Sequence, residues 1–195
     1  YRSAGIRMVY PVATDHLYGV KEGILLEVGF DDTAPNQPCD ISSWALDVAL
    51  KSTVAFIDNR ALGVRCYSPA YTFVEKLQTV STKFRNQQAL QAGGANAAES
   101  FPKNFLRHYY DLYCLLQSPE VQAFIDTSEY QDRKRVRFPK ADNLDIASNE
   151  AFLLSDPEVR QLYARKYEET KGLYYTGQVP FDAILERIAL HIARL

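Results

Sequence analysis

An α+β fold, a few strands followed by a mostly helical lobe, is what this sequence predicts. Three observations carry that expectation. The first 67 residues hold β-type patterns, the helical period of about 3.6 residues dominates from Pro69 onward, and the two are segregated along the chain instead of alternating as βαβ units would. The change of character divides the chain into residues 1–68, a partial sheet region, and 69–195, a helical lobe. With 195 residues the chain is long enough for one good core or two fused lobes.

The strands come first. Gly5 to Phe30 reads as strand-forming, with alternation over Ile6 to Tyr10 and an apolar run, Ile24-Leu25-Leu26-Glu27-Val28, broken by one carboxylate. Asp31 to Cys39, with Pro35, Asn36 and Pro38, predicts a loop, and Ile41 to Lys51 suits either a short helix or a strand. Asn59 to Gly63 reads as a turn and Val64 to Tyr67 as a strand.

The helices follow. Ser68-Pro69 has the chemistry of a helix start, and Phe73, Leu77, Val80 and Phe84 recur on one helical face, predicting a helix over about 69–88 with that face buried. Residues 91–100, rich in Ala and Gly, form a connector. Apolar residues cover nearly the whole circumference of a second helix, about 103–117, and so predict a buried central helix. Ser118-Pro119-Glu120 and Ser155-Asp156-Pro157-Glu158 start two more, the latter closed near Gly172, and Pro180 opens a last one.

Composition narrows the class. Hydrophobic residues at 47% and charged residues at 24% are ordinary for a globular chain, and a net charge of −2 confines any nucleic-acid contact to a local patch. Thirteen Tyr and ten Phe place many rings at lobe interfaces or in a cleft. Cys39, Cys66 and Cys114 lack the spacing of zinc or disulfide frameworks and read as reduced, mostly buried thiols. No signal peptide and no membrane-length apolar run is present, so the expectation is a cytoplasmic protein without membrane contact. The opening at Tyr1, without Met and directly on a strand pattern, suggests a fragment.

Three charged residues fall where the pattern predicts burial or near-burial: Glu27, Lys76 and Asp111. Such groups are paired, metal-bound or functional. The ordinary reading of Glu27 is the wet face of a half-exposed strand. Lys76 abuts the apolar stripe, with Lys83 seven residues on along the same side; its ordinary role is to cover the core with its stem, the other to reach into a cleft. Asp111 shares a helix face with Arg107 and His108, which suits a buried Asp–Arg pair or a charged ligand. Glu75 and Arg85 read most simply as surface charges. Arg133, Lys134, Arg135, Arg137 and Lys140 place five cations within eight residues, either a solvated helix end or a contact for RNA phosphates.

The order of these pieces, Leu25-Leu26-Glu27-Val28, then Glu75-Lys76-Leu77 with Arg85 eight residues after Leu77, then Arg107-His108-Tyr109-Tyr110-Asp111-Leu112, resembles the successive motifs of the bacterial AbiEii toxins over about Gly19 to Leu116. The resemblance implies a polymerase-β-like nucleotidyltransferase fold, here a remnant, and membership of type IV toxin–antitoxin systems. It implies transfer of a nucleoside monophosphate from an NTP to an acceptor such as RNA, with Mg²⁺ and a cognate antitoxin as partners. By the same resemblance Glu27 is a metal ligand, Lys76 and Asp111 are catalytic, and Lys76, Lys83 and Arg85 meet the nucleotide. Glu27, Lys76 and Asp111 should then share one cleft.

Two departures stand out. The family's first motif, Gly-Ser followed by Asp-x-Asp, does not occur in these 195 residues, and the usual Arg-Asp before the final Asp is Arg107-His108. The expectation is therefore an incomplete metal site and no transfer by this chain alone. The alternative is a non-catalytic helical module that binds a partner protein or RNA, with Lys76 and Asp111 fastening helices.

Overall fold

The computed structural model describes residues 3–11, 22–96, 100–102, 105–174 and 176–195. The expected strand character of 12–21, the start of the helix predicted from 103, and the middle of the 91–100 connector lie outside the described residues. The fold is α+β, and it separates into two compact units, Tyr1–Ala34 and Pro35–Leu195.

The first unit is an antiparallel pair, β1 (Ser3–Met8) and β2 (Ile24–Gly29), in which Gly5 faces Glu27 and Arg7 faces Leu25. Gly23 enters β2 with φ +84°, and a Cβ there would overlap the Met8 carbonyl, so only glycine fits. All residues of both strands are exposed, the apolar Ile6, Ile24, Leu25 and Val28 among them.

In the second unit, β3 (Asn36–Ile41) pairs antiparallel with β4 (Ala61–Tyr67), with a register shift between Cys39 and Ile41. Part of the expected Asp31–Cys39 loop is thus strand. Pro38 is accommodated because a two-stranded sheet consists only of edges, where a missing N–H leaves no ladder bond unmade. Gly63, at φ +63°, donates its N–H to Asp40 Oδ1 at 2.9 Å beside the shift. Between the strands α1 (Trp44–Ala49) settles the open reading of 41–51 in favour of helix, capped by Ser43 Oγ, which accepts from Leu46 N at 3.2 Å. By their contacts β3, α1 and β4 belong to the same unit as the helices that follow. Ser68 N donates to Pro35 O at 3.0 Å, and Ser68 Oγ donates to Glu120 at 2.7 Å.

Helix α2 (Pro69–Ala92) opens with Pro69 at its first position and with Ser68 Oγ accepting from Ala70 N at 3.1 Å. Its Phe73, Val74, Leu77 and Val80 are buried, with Phe84 partly so. Around it pack α3 (Arg107–Leu115), α4 (Pro119–Phe124), α5 (Ser128–Arg137) and α6 (Glu150–Leu153). Then come α7 (Pro157–Glu168), capped by Asp156, and α8 (Phe181–His191). Contrary to expectation, α3 is not buried all round. His108, Tyr109 and Leu112 are buried, whereas Arg107 and Cys114 are exposed and Tyr110, Asp111 and Tyr113 half-buried. Tyr carries a polar tip, so its recurrence at Tyr110 and Tyr113 allows a wet face that a purely aliphatic helix would not.

The core is aromatic and continuous. Tyr163 of α7 sits among Phe84, Phe101, Phe105 and Tyr109 at ring-centroid distances of 5.8, 5.0, 5.9 and 6.2 Å. Tyr109 OH donates to Ala151 O at 2.6 Å, which satisfies its buried hydroxyl. The thiols depart from the expected burial: Cys39 and Cys66 are half-buried and Cys114 is exposed, all three free. Among the described residues no helix is long and apolar enough to cross a membrane.

Candidate functional site

Seven residues of α-helix advance the side-chain direction by about 700°, so Lys83 falls within about 20° of Lys76, whereas Arg85, nine residues on, points about 180° away. The packing of α2 against α3 converts that arithmetic into two separate sites.

On one side of α2, Lys76 meets α3 residues His108 and Asp111, which lie one turn apart on the same face. Lys76 Nζ is 2.7 Å from Asp111 Oδ2, and His108 Nδ1 lies 3.5 Å from the same oxygen. Lys83 Nζ stands 3.3 Å from His108 Nε2, and Lys76 Nζ 3.5 Å from Nδ1. Lys83 also lies 6.0 Å from the centroid of the Phe105 ring. The Lys76–Asp111 pair is open to solvent, at 28% and 34% side-chain exposure, while His108 is nearly covered at 11%. Asp111 therefore pairs with a lysine of another helix and not with Arg107 in the expected Asp–Arg pair.

The electrostatics follow from this geometry. Burial works to raise the Asp111 carboxyl, but hydrogen bonds from His108 and Lys76 more than offset it, and the result lies below the usual carboxylate value. Burial lowers the Lys83 ammonium, helped by Arg107 and Lys76. Burial also lowers His108, and Lys76 and Lys83 add to the shift while Asp111 opposes it. The balance favours the neutral imidazole. The cluster is thus a partly exposed group in which Lys76, Lys83 and Arg107 outnumber one carboxylate, an arrangement that attracts a polyanion.

The lowered His108 value fixes the sign of a pH dependence. A group whose folded value lies below its unfolded 6.5 stabilises the fold above 6.5, and that contribution is lost as pH falls through the folded value. Asp111 acts the same way below its ordinary 3.8. Thermal unfolding should therefore begin to soften just below pH 6.5, and His108→Gln, which cannot titrate, should shrink that first stage to the share left by His191, which burial also lowers. An unchanged acid profile in the variant would sink the assignment.

On the other side of α2, Arg85 Nε pairs with Asp142 Oδ1 at 2.5 Å, and Thr82 Oγ1 donates to the other Asp142 oxygen. Asp142 is fully covered, so Arg85 fastens the loop after α5 and is not brought to the Lys76–Asp111 cluster. Glu75 is more than a surface charge. It accepts from Arg133 at 2.6 Å, pairs with Arg137, and ties α5 to α2. Lys134 is buried, donating to Leu195 O and Leu144 O, and Arg135 pairs with Asp132. Much of the basic cluster is thereby committed to intramolecular contacts at a helix C-terminus, where cations also complement the dipole.

Glu27 lies in the other unit, exposed on β2. Its strand face carries Leu25 and Gly29, opposite Ser3, Gly5 and Arg7, with no second carboxylate. Among the described residues no three His, Cys, Asp or Glu side chains come close enough together to hold a metal. Mg²⁺ demands six oxygen ligands and relies on carboxylates plus substrate phosphates. Glu27 could supply one of these ligands but does not make a magnesium centre with its described neighbours.

The second unit thus defines an α+β protein with a cation-rich cluster where two helices meet, a charge balance that suits a phosphate-bearing ligand. Residues 2–187 match the family described as the nucleotidyl transferase AbiEii toxin of type IV toxin–antitoxin systems, and the chain belongs to that family. No curated protein and no solved structure matches it.

Proposed function

We propose that the chain is part of a nucleotidyltransferase in which Lys76 and Lys83 receive the phosphates of an NTP and Asp111 holds Lys76 in place. The observation that carries this reading is the 2.7 Å Lys76–Asp111 pair, set beside Lys83 in a cluster where cations exceed carboxylates. In the reaction an acceptor oxygen, RNA being the favoured acceptor, attacks the α-phosphorus and loses its proton, and pyrophosphate leaves with the electrons of the broken bond. Charge accumulates on the leaving phosphates, where fixed ammonium groups lower the barrier most. Glu27 would contribute one oxygen to Mg²⁺, which would supply Lewis-acid chemistry when bound. Asp111, held below the usual carboxylate range, is a poor base and a good anchor.

With Glu27 the one metal carboxylate assigned, these 195 residues should bind NTP weakly and transfer nothing. The test is incubation with labelled NTPs, Mg²⁺ and total RNA, beside a longer form of the protein that adds Gly-Ser and Asp-x-Asp upstream. Only the longer form should label RNA. Robust labelling by the 195 residues would show that the metal ligands are misassigned, and an inert longer form would favour the helical binding module.

A further inference from the structure

His108 is a departure from its motif and the most enclosed member of the Lys76–Asp111 cluster, and its two ring nitrogens face different neighbours. Nδ1 has the Asp111 carboxylate and the Lys76 ammonium each at 3.5 Å, and Nε2 has the Lys83 ammonium at 3.3 Å. A neutral imidazole carries one N–H and one lone pair. With the proton on Nδ1, the N–H points at a carboxylate and the lone pair at an ammonium, so both contacts are favourable. The other tautomer would let Nδ1 accept from Lys76, but it would turn a lone pair toward Asp111 and an N–H toward Lys83, so it gives up two favourable contacts for one; Lys76 already has Asp111 at 2.7 Å. Lys76 completes the arrangement through its own contact with Asp111.

Resting on the nucleotide reading above, the geometry points to His108 as a positioning residue: its Nδ1–H is anchored by Asp111, and its Nε2 holds Lys83 in place to meet the phosphates. A lysine ammonium on a four-carbon stem is a flexible point charge, and tethering it before the ligand arrives removes part of the ordering that binding would otherwise require. The α-carbons of Lys76 and Lys83 are about 10 Å apart along α2, yet both ammoniums flank this one ring. A polyphosphate can then engage both at once.

The experiment has two readouts on the 195-residue protein. ¹⁵N NMR of the histidines should show His108 protonated at Nδ1 and bare at Nε2 at neutral pH; the reverse tautomer overturns the proposal. In the second, inorganic triphosphate is titrated against the wild type, Lys76→Ala, Lys83→Ala, His108→Ala, His108→Gln and His108→Asn, with thermal unfolding as a control. Lys83→Ala and His108→Ala should each weaken binding by about tenfold, and the double variant should be no weaker than Lys83→Ala alone. Gln, whose oxygen can reach the Nε2 position, should restore affinity to within about twofold, whereas Asn, which reaches only the Nδ1 position, should not. Should the lysine variants lose affinity while folded His108→Gln and His108→Asn behave alike, the positioning role falls and the nucleotide reading stands. Should the lysine variants bind triphosphate as the wild type does, or should the wild type bind none at millimolar concentration, the nucleotide reading falls and takes this role with it.

Discussion

In a form extended to carry a Gly-Ser and Asp-x-Asp motif, Lys76→Ala should reduce nucleotide transfer about 10²-fold or more, the scale on which removal of one preorganised charge donor at a developing anion acts. Stability should change little. The pair is about one-third exposed, and solvent-screened pairs of that kind contribute about 0–1 kcal/mol. Asp111→Asn keeps the shape of the side chain and removes the charge that orients Lys76 and His108, so it should lower transfer by a smaller factor, about tenfold. The double variant should fall well short of the product of the two single effects, because both act through the same ammonium. Steady-state labelling of RNA with saturating NTP is the measurement. Transfer at the wild-type rate by Lys76→Ala would reduce the Lys76–Asp111 contact to a helix fastener.

The second large effect concerns stability. Tyr163→Ala should destabilise the Pro35–Leu195 unit by about 3–5 kcal/mol, a large share of the ~5–15 kcal/mol that holds a typical domain together. The residue is fully buried and is the ring on which Phe84, Phe101, Phe105 and Tyr109 converge. Truncation leaves a cavity that helix ends pinned by the Ser68 and Asp156 caps cannot easily collapse to fill. Tyr163→Phe separates ring from hydroxyl. The hydroxyl donates to Gln87 Oε1 at 3.0 Å, but that oxygen also accepts from Gln88 at 2.8 Å, so the acceptor keeps a partner and the loss should be about 1 kcal/mol. Urea unfolding at unchanged m value tests both, and equal losses from the two variants would show that the hydroxyl network and not the ring packing carries the stability.

Much of the helical unit was legible before any coordinates. The start of α2 was written in Ser68-Pro69 and its buried face in the spacing of Phe73, Leu77 and Val80, because capping chemistry and helical period are local properties of the chain. The shared face of Lys76 and Lys83 was legible for the same reason. The helical period also places Arg85 away from that face, a consequence obscured when the family motif was carried over as a whole.

The sequence by itself determined the α+β class, the principal helix starts, the family, and the identity of the residues from which a phosphate site could be built. Tertiary structure alone decided their partners. Asp111 meets Lys76 instead of Arg107, Arg85 is spent on Asp142, Glu75 gathers Arg133 and Arg137, and β3 with β4 joins the helical unit. The physical reason is range. Period and capping act within a turn or two, whereas an ion pair between residues 35 to 62 positions apart depends on which helix faces meet, and no local pattern encodes that.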